Sequence, residues 1–304
     1  MAAACAALPG GRWHFQHGPI DLVIGADGDT AAVAAAHEAA WRRFRPLLDE
    51  LVAELPLLKA PVGAACPLRG PVARRMWSAC AALAGEADGF ITPMAAVAGS
   101  VAQELIAAYH RPGIARAWVN DGGDIALHLT PGASLRVGLF ADLAALDGEL
   151  AARSRAGRLP VDGRFEVHAA SGVRGIATSG WRGRSFSLGI ADAVTVLAAT
   201  AAEADAAATV IANAVNVVHP GVVRAPAEVL RDDSDLGARL VTVQVPPLPP
   251  ALVQRALAAG LARAERLRAR GLIRGAALVC QGCLARLDAE AAPESADSPT
   301  RLTA

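Results

Sequence analysis

The chain has 304 residues, 29 Lys and Arg against 29 Asp and Glu, and 53% hydrophobic side chains. Zero net charge leaves no basic excess for nonspecific nucleic-acid binding, and 19% charge beside so much apolar surface is a globular rather than a disordered composition. No stretch reaches the ~18 uncharged apolar residues of a membrane span, residues 1–10 lack the basic start of a secretory signal, and five scattered cysteines form no disulfide framework, so a cytoplasmic protein is expected.

Residues 1–10 read as a flexible N-terminus. Over residues 12–24, apolar side chains alternate around Gly18-Pro19, which predicts a β-hairpin. Residues 30–54 carry a helical stripe of Val33, Trp41, Phe44, Leu48 and Leu51, with Pro46 expected to kink or divide the helix. Pro56, Pro61 and Pro67 make residues 55–70 an irregular crossing. Helices are predicted at 72–83 and 95–109, and strands at 115–119 and 125–129 on either side of Asn120-Asp121-Gly122-Gly123-Asp124. Further strands are expected at 135–139, 165–169, 175–178 and 191–197. A small-residue helix follows at 203–216, then a strand at 240–245, a helix at 253–270 and a strand at 276–280. Residues 289–304 read as a disordered tail. Strands and helices mix without strict β-α-β alternation, which predicts a single α+β domain over residues 11–288.

Four constellations could carry chemistry. Gly122 and Gly123 permit positive φ and let a ligand or another backbone approach closely, although a tight hairpin turn with Asp121 and Asp124 as solvated acceptors explains the same pattern. Thr178, Ser179, Gly180, Arg182 and Arg184 follow a strand. Their hydroxyls, N–H groups and guanidinium forks suit a phosphate or pyrophosphate; the other reading is an exposed arginine-tipped loop. Neither a Walker lysine nor a Gly-x-Gly-x-x-Gly motif accompanies them. Asp205 and Thr209 stand one helical turn apart on one face, a partial shell for Mg²⁺, or else a surface acid and a back-bonding threonine. Cys280-Gln281-Gly282-Cys283 lacks two further zinc ligands, and Gly282 suggests a hairpin rather than a helix-capped redox pair.

Together, Pro93-Met94-Ala95-Ala96-Val97-Ala98-Gly99 and residues 120–125, 175–180, 187–194 and 204–209 resemble the UPF0280 family, a branch related to ApbE, the FAD:protein FMN transferases. The resemblance spans residues 10–285, with five motifs in order. It implies the ApbE-like α+β fold, with T-fold-like layers of mixed or antiparallel sheet and helices. By resemblance, Asp205 and Thr209 match the transferases' helix-borne Asp-x-x-x-Thr that holds Mg²⁺, and the Ala96 carbonyl falls where a backbone oxygen completes the shell. Asn120, Gly122, Gly123 and Asp124, with Thr178, Ser179 and Gly180, are similar to segments that line the flavin dinucleotide. Arg182 and Arg184 are added as phosphate ligands, and Asp121 as the general base on position alone.

Two departures accompany the likeness. Gly99 stands where the transferases have lysine, and their His-x-x-Asp-Pro-x-Thr-Gly stretch, expected between Ser179 and Ala193, is absent. Both count against transfer of FMN to a protein threonine. The expected function is binding of a small phosphate-bearing molecule, such as FAD or another flavin nucleotide, with Mg²⁺. Any enzyme activity would be that of a Mg²⁺-dependent transferase or hydrolase on a nucleotide or phosphate compound. A redox or sulfur-assimilation role and a non-catalytic scaffold are the alternatives. Neither nucleic acid nor membrane is an expected partner, and the alanine-rich helix could pack within the chain or across a homodimer.

Overall fold

The computed structural model describes residues 2–139, 163–183 and 185–289. The strands are β1 (Ala4–Leu8), β2 (Arg12–His17), β3 (Ile20–Gly28), β4 (Ile114–Asp121), β5 (Asp124–Leu129), β6 (Ser134–Leu139), β7 (Gly163–His168), β8 (Gly175–Ser179), β9 (Ala193–Ala198), β10 (Val223–Pro226), β11 (Leu240–Gln244), β12 (Gly275–Cys280) and β13 (Cys283–Leu287). The helices are α1 (Thr30–Ala53), α2 (Leu55–Leu58), α3 (Pro71–Ala81), α4 (Val97–Ile106), α5 (Ala201–Ala214), α6 (Ala227–Leu230) and α7 (Pro250–Ala269). Nine strands form one antiparallel sheet in the order β1-β2-β3-β4-β5-β8-β9-β12-β13, while β6-β7 and β10-β11 are separate two-stranded ribbons. The predicted α+β class is what the structure has.

Several boundaries differ from those the sequence suggests. Ala4–Leu8, expected within a flexible terminus, pairs with β2 as an edge strand; alanine carries little strand signal, so main-chain pairing decides the outcome. Pro46 does not divide α1, because it lies on the helix's exposed side, where water can satisfy the Arg42 carbonyl that its ring leaves unpaired. Residues 95–109 are not one helix but a 3-10 turn (Pro93–Ala96), α4 and a second 3-10 turn (Ala107–Tyr109). The tail from 290 onward lies outside the described residues.

Side-chain alternation sorts the sheet into two faces. One packs Leu22, Val119, Ala126, Ala177, Val194 and Val196 against α1, α4, α5 and α7. The other buries Leu127, Leu129 and Ile176 beneath Val137 and Val167 of the β6-β7 ribbon. The β5–β8 junction at the sheet's centre is short, with only Ile125↔Ile176 and Ala126↔Gly175 in register.

α5 explains its own composition. It is buried along most of its length through Ala201, Ala202, Ala204, Ala206, Ala207, Ala208 and Ala212, so neighbours approach its backbone directly. A Cβ added at Gly189 would lie 2.0 Å from Ala212 O, a contact only glycine can make. The alanine face is thus used against β8, β9, α4 and α7 of the same chain. Among the described residues, no helix is long and apolar enough to cross a membrane.

Candidate functional site

The site begins at the tip of the β4–β5 hairpin. Asp121 and Asp124 are the last facing pair of the ladder, and Gly122 and Gly123 turn the chain at φ 63° and 117°. The Asn120 side chain accepts the Gly123 N–H at 2.8 Å, fixing the turn from within. The period of two puts Asp121 on the helix-covered face with Val119, and it is 5% exposed. Asp124 faces the same way with Ala126 and accepts the Thr178 N–H at 3.1 Å, which links the tip to β8.

α5 brings Asp205 toward this pair. Its Oδ2 accepts the Gly99 N–H at 2.9 Å, and the carboxylate also takes the Ala98 N–H. These amides belong to the first turn of α4, whose N-cap residue, Ala96, has no side-chain acceptor to offer. A carboxylate from one helix therefore caps another, and the N-terminal end of the α4 dipole favours its charge. Burial, the charge of Asp124 and then that of Asp121 push the Asp205 carboxyl well above the usual carboxylate range, against the pull of the two amides.

Close approach of α4 and α5 also explains Gly99. A Cβ there would stand 2.2 Å from Ala201 O and 2.8 Å from Asp205 Cβ. Position 99 is closed by the Ala201 carbonyl, so no side chain has room to project from it.

Ala96 is fully buried at the junction of the 3-10 turn with α4, and Thr209 is half-buried one turn beyond Asp205. Carboxylate, hydroxyl and carbonyl oxygens are hard donors, so Asp205, Thr209 and the Ala96 carbonyl are of the kind that Mg²⁺ or Ca²⁺ takes. Among the described residues, no three His, Cys, Asp or Glu side chains gather at metal-ligand spacing. A cation here would lean on Asp205 and neutral oxygens, with water or phosphate completing the shell.

The second segment is only partly aligned with the first. Ser179 pairs with Val194, a residue of the helix-side core, so Ser179 shares the face of Asp124. Thr178 points the other way, its hydroxyl 2.9 Å from that of Thr195. Arg182 is held by Asp192, with Nε 3.1 Å from Oδ1, and its guanidinium lies 5.0 Å from the Trp181 ring centroid. Asp192, which no local sequence signal marks out, also accepts the Trp181 Nε1–H and the Gln281 N–H. Gly180 closes the strand beside this network, and Arg184 lies outside the described residues.

The cysteine motif is a hairpin. Cys280 faces Cys283 across a turn with Gln281 at φ 48° and Gly282 at φ 75°. Burial, then Asp192 and Cys283, push the Cys280 thiol up to about 12. Cys80 is buried too, its thiol raised by burial and then by Asp205 and Asp235.

Comparison with known proteins gives a consistent set of relatives. The family model described as AbpE bacteria matches residues 5–286. A UPF0280 protein of Methanosphaerula palustris is 35% identical over 214 residues, which is 69% of this chain and 79% of the relative. One from Methanopyrus kandleri is 36% identical over 200 residues, 64% of this chain and 69% of its own. Among solved structures, apo flavinyl transferase ApbE of Pseudomonas stutzeri shares 14% identity and a TM-score of 0.47, covering 95% of this chain and 94% of that one.

Proposed function

Because the chain belongs to the UPF0280 branch of the ApbE-like family, we propose that it binds a phosphate-bearing ligand, a flavin nucleotide foremost, together with Mg²⁺. The observation that carries this reading is the seating of Asp205 on the α4 amides within electrostatic reach of Asp124 and Asp121. Asp205, Thr209 and the Ala96 carbonyl would hold the cation. When bound, Mg²⁺ would offset the charge of the ligand's phosphates. Asn120, Gly122 and Gly123 give the ligand a narrow, side-chain-poor approach, and Ser179 with Arg182 supplies phosphate donors. Asp121, nearly buried on the same face, is the group proposed to accept a proton if a reaction follows binding.

Transfer of FMN to a protein threonine is not part of the proposal. Gly99 has no room for lysine, and the His-x-x-Asp-Pro-x-Thr-Gly stretch is absent. A cysteine-based redox role finds little support either, since the buried thiols of Cys80 and Cys280 are poor sources of thiolate. A soluble nucleotide as ligand agrees with a cytoplasmic setting.

The test is a calorimetric titration of the full chain with FAD, FMN and ADP, with and without Mg²⁺, followed in parallel by fluorescence of its five tryptophans, Trp181 among them. Binding that needs Mg²⁺ and disappears in Asp205→Ala is the expected result. Absence of binding to all three would remove the nucleotide reading.

A further inference from the structure

The loop over residues 231–239, between α6 and β11, is tied to its own base. Ala227 N–H and Glu228 N–H donate to Arg239 O and Gly237 O, each at 2.9 Å. From there it reaches three other segments. Lys59, the sole lysine of the chain, donates to Asp233 O and stands 3.6 Å from its carboxylate. The Arg239 guanidinium carbon lies 3.3 Å from the Phe90 ring centroid. Asp235 Oδ2 accepts the Thr92 hydroxyl.

The contact with Thr92 bears on the site. Thr92 is 2% exposed and is the N-cap residue of the Pro93–Ala96 turn, yet its side chain does not cap that turn. A threonine at this position ordinarily accepts an N–H from the turn it precedes. Here the Thr92 carbonyl accepts the Ala95 N–H at 3.1 Å, while the hydroxyl donates to a carboxylate 143 residues later in the chain. The turn is thereby anchored to the 231–239 loop at its first residue, and it ends at Ala96. Burial and then Asp205 and Asp235 raise the buried Cys80 thiol, so both carboxylates are within electrostatic reach of it.

We propose that Thr92 and Asp235 are positioning residues for the cation site, their hydrogen bond fixing the Pro93–Ala96 turn and hence the Ala96 carbonyl assigned to the cation in that site. The inference rests on the cation site proposed above. A backbone carbonyl has no rotamer with which to adjust, so its placement is that of its turn. Mg²⁺ demands near-ideal octahedral geometry, which makes the support of such a carbonyl consequential.

The experiment titrates Mn²⁺ into the full chain with ADP present, reading bound metal by water-proton relaxation. Wild type and Asp205→Ala set the range. Thr92→Val is expected to bind Mn²⁺ roughly tenfold more weakly, the scale typical of outer-shell partners. Thr92→Ser keeps the hydroxyl and Asp235→Asn keeps an acceptor, so both are expected to stay near wild type. Asp235→Ala reads the same bond from the less buried side should Thr92→Val not fold. Wild-type affinity in both Thr92→Val and Asp235→Ala would overturn the positioning role while leaving the cation site standing. An Asp235→Asn protein as weak as Asp235→Ala would also overturn it, since charge and not position would then be the cause. If wild type takes up no Mn²⁺, the cation site and this inference fall together.

Discussion

Two hairpin tips in this molecule are nearly alike in backbone and unlike in chemistry. β4–β5 turns through Gly122-Gly123 between Asp121 and Asp124, and β12–β13 turns through Gln281-Gly282 between Cys280 and Cys283. Each has two consecutive residues at positive φ and a potential ligand pair closing the ladder. At the first tip a third element, α5, adds Asp205, and α4 adds two amides. At the second, the Cys280 thiol donates to Ile190 O and the Gln281 side chain is consumed by Leu248 N–H and Pro246 O. A reactive-looking pair on a tight turn becomes a site only when tertiary neighbours leave it something to bind.

Breaking the first tip's partnership should have the largest effect. Asp205→Ala is expected to weaken Mn²⁺ binding by more than about 100-fold, above the 10–100-fold usual for outer-shell partners. Asp205→Asn, which keeps an acceptor for the α4 amides, should lose the metal but remain about 1 kcal/mol more stable than Asp205→Ala in urea unfolding. Equal stability of the two would argue that Asp205 does not cap α4.

Gly99→Ala comes next. With backbone 2.2 Å from the new Cβ, the α4–α5 contact must open, at a cost of about 2–3 kcal/mol in the same assay. A neutral result would show that the lysine position is not closed after all. The comparison of tips is sharpened by Gly123→Ala and Gly282→Ala. Neither added Cβ meets a neighbour within 4 Å, so each should cost only the backbone strain of about 1–2 kcal/mol. Only Gly123→Ala should also weaken nucleotide binding in calorimetry.

The smallest expected effect is a pH dependence far from either tip. His37 bonds Tyr109 Oη at 2.7 Å, and burial lowers its pKa from 6.5. Because the unfolded chain protonates first, this contribution is complete above pH 6.5 and is lost as the pH falls toward the folded value. Unfolding free energies should drop below pH 6.5 by at most about 1.4 kcal/mol per pH unit from this residue, and His37→Asn should flatten that slope. His110 shifts in the same direction, from burial and then His128 and Arg174, and adds a slope of the same sign that the variant keeps.

Much of the frame was legible because its causes are local. Paired glycines announced the Gly122-Gly123 turn, Gly282 the last hairpin, and the four-residue spacing put Asp205 and Thr209 on one side of a helix. Contacts between distant segments were not legible. Nothing near Asp205 in sequence points to the amides of Ala98 and Gly99, the latter 106 residues earlier. Asp192, ten residues beyond Arg182, gives no sign in the sequence that it folds back to hold that guanidinium. The strand Ala4–Leu8 was missed since alanine fits helix, strand and loop alike. Gly99 read as a lost lysine, whereas in space it is what lets two helices touch.

The brief β5–β8 register has a consequence for cooperativity. Asp121, Asp124 and Gly99 lie on the N-terminal side of that seam, and Ser179, Arg182, Asp205 and Thr209 on the other. Neither side of the seam contains all the residues of the proposed site. Opening of this seam would take the proposed ligands apart, so a ligand bound across it would, by mass action, hold the two sides together.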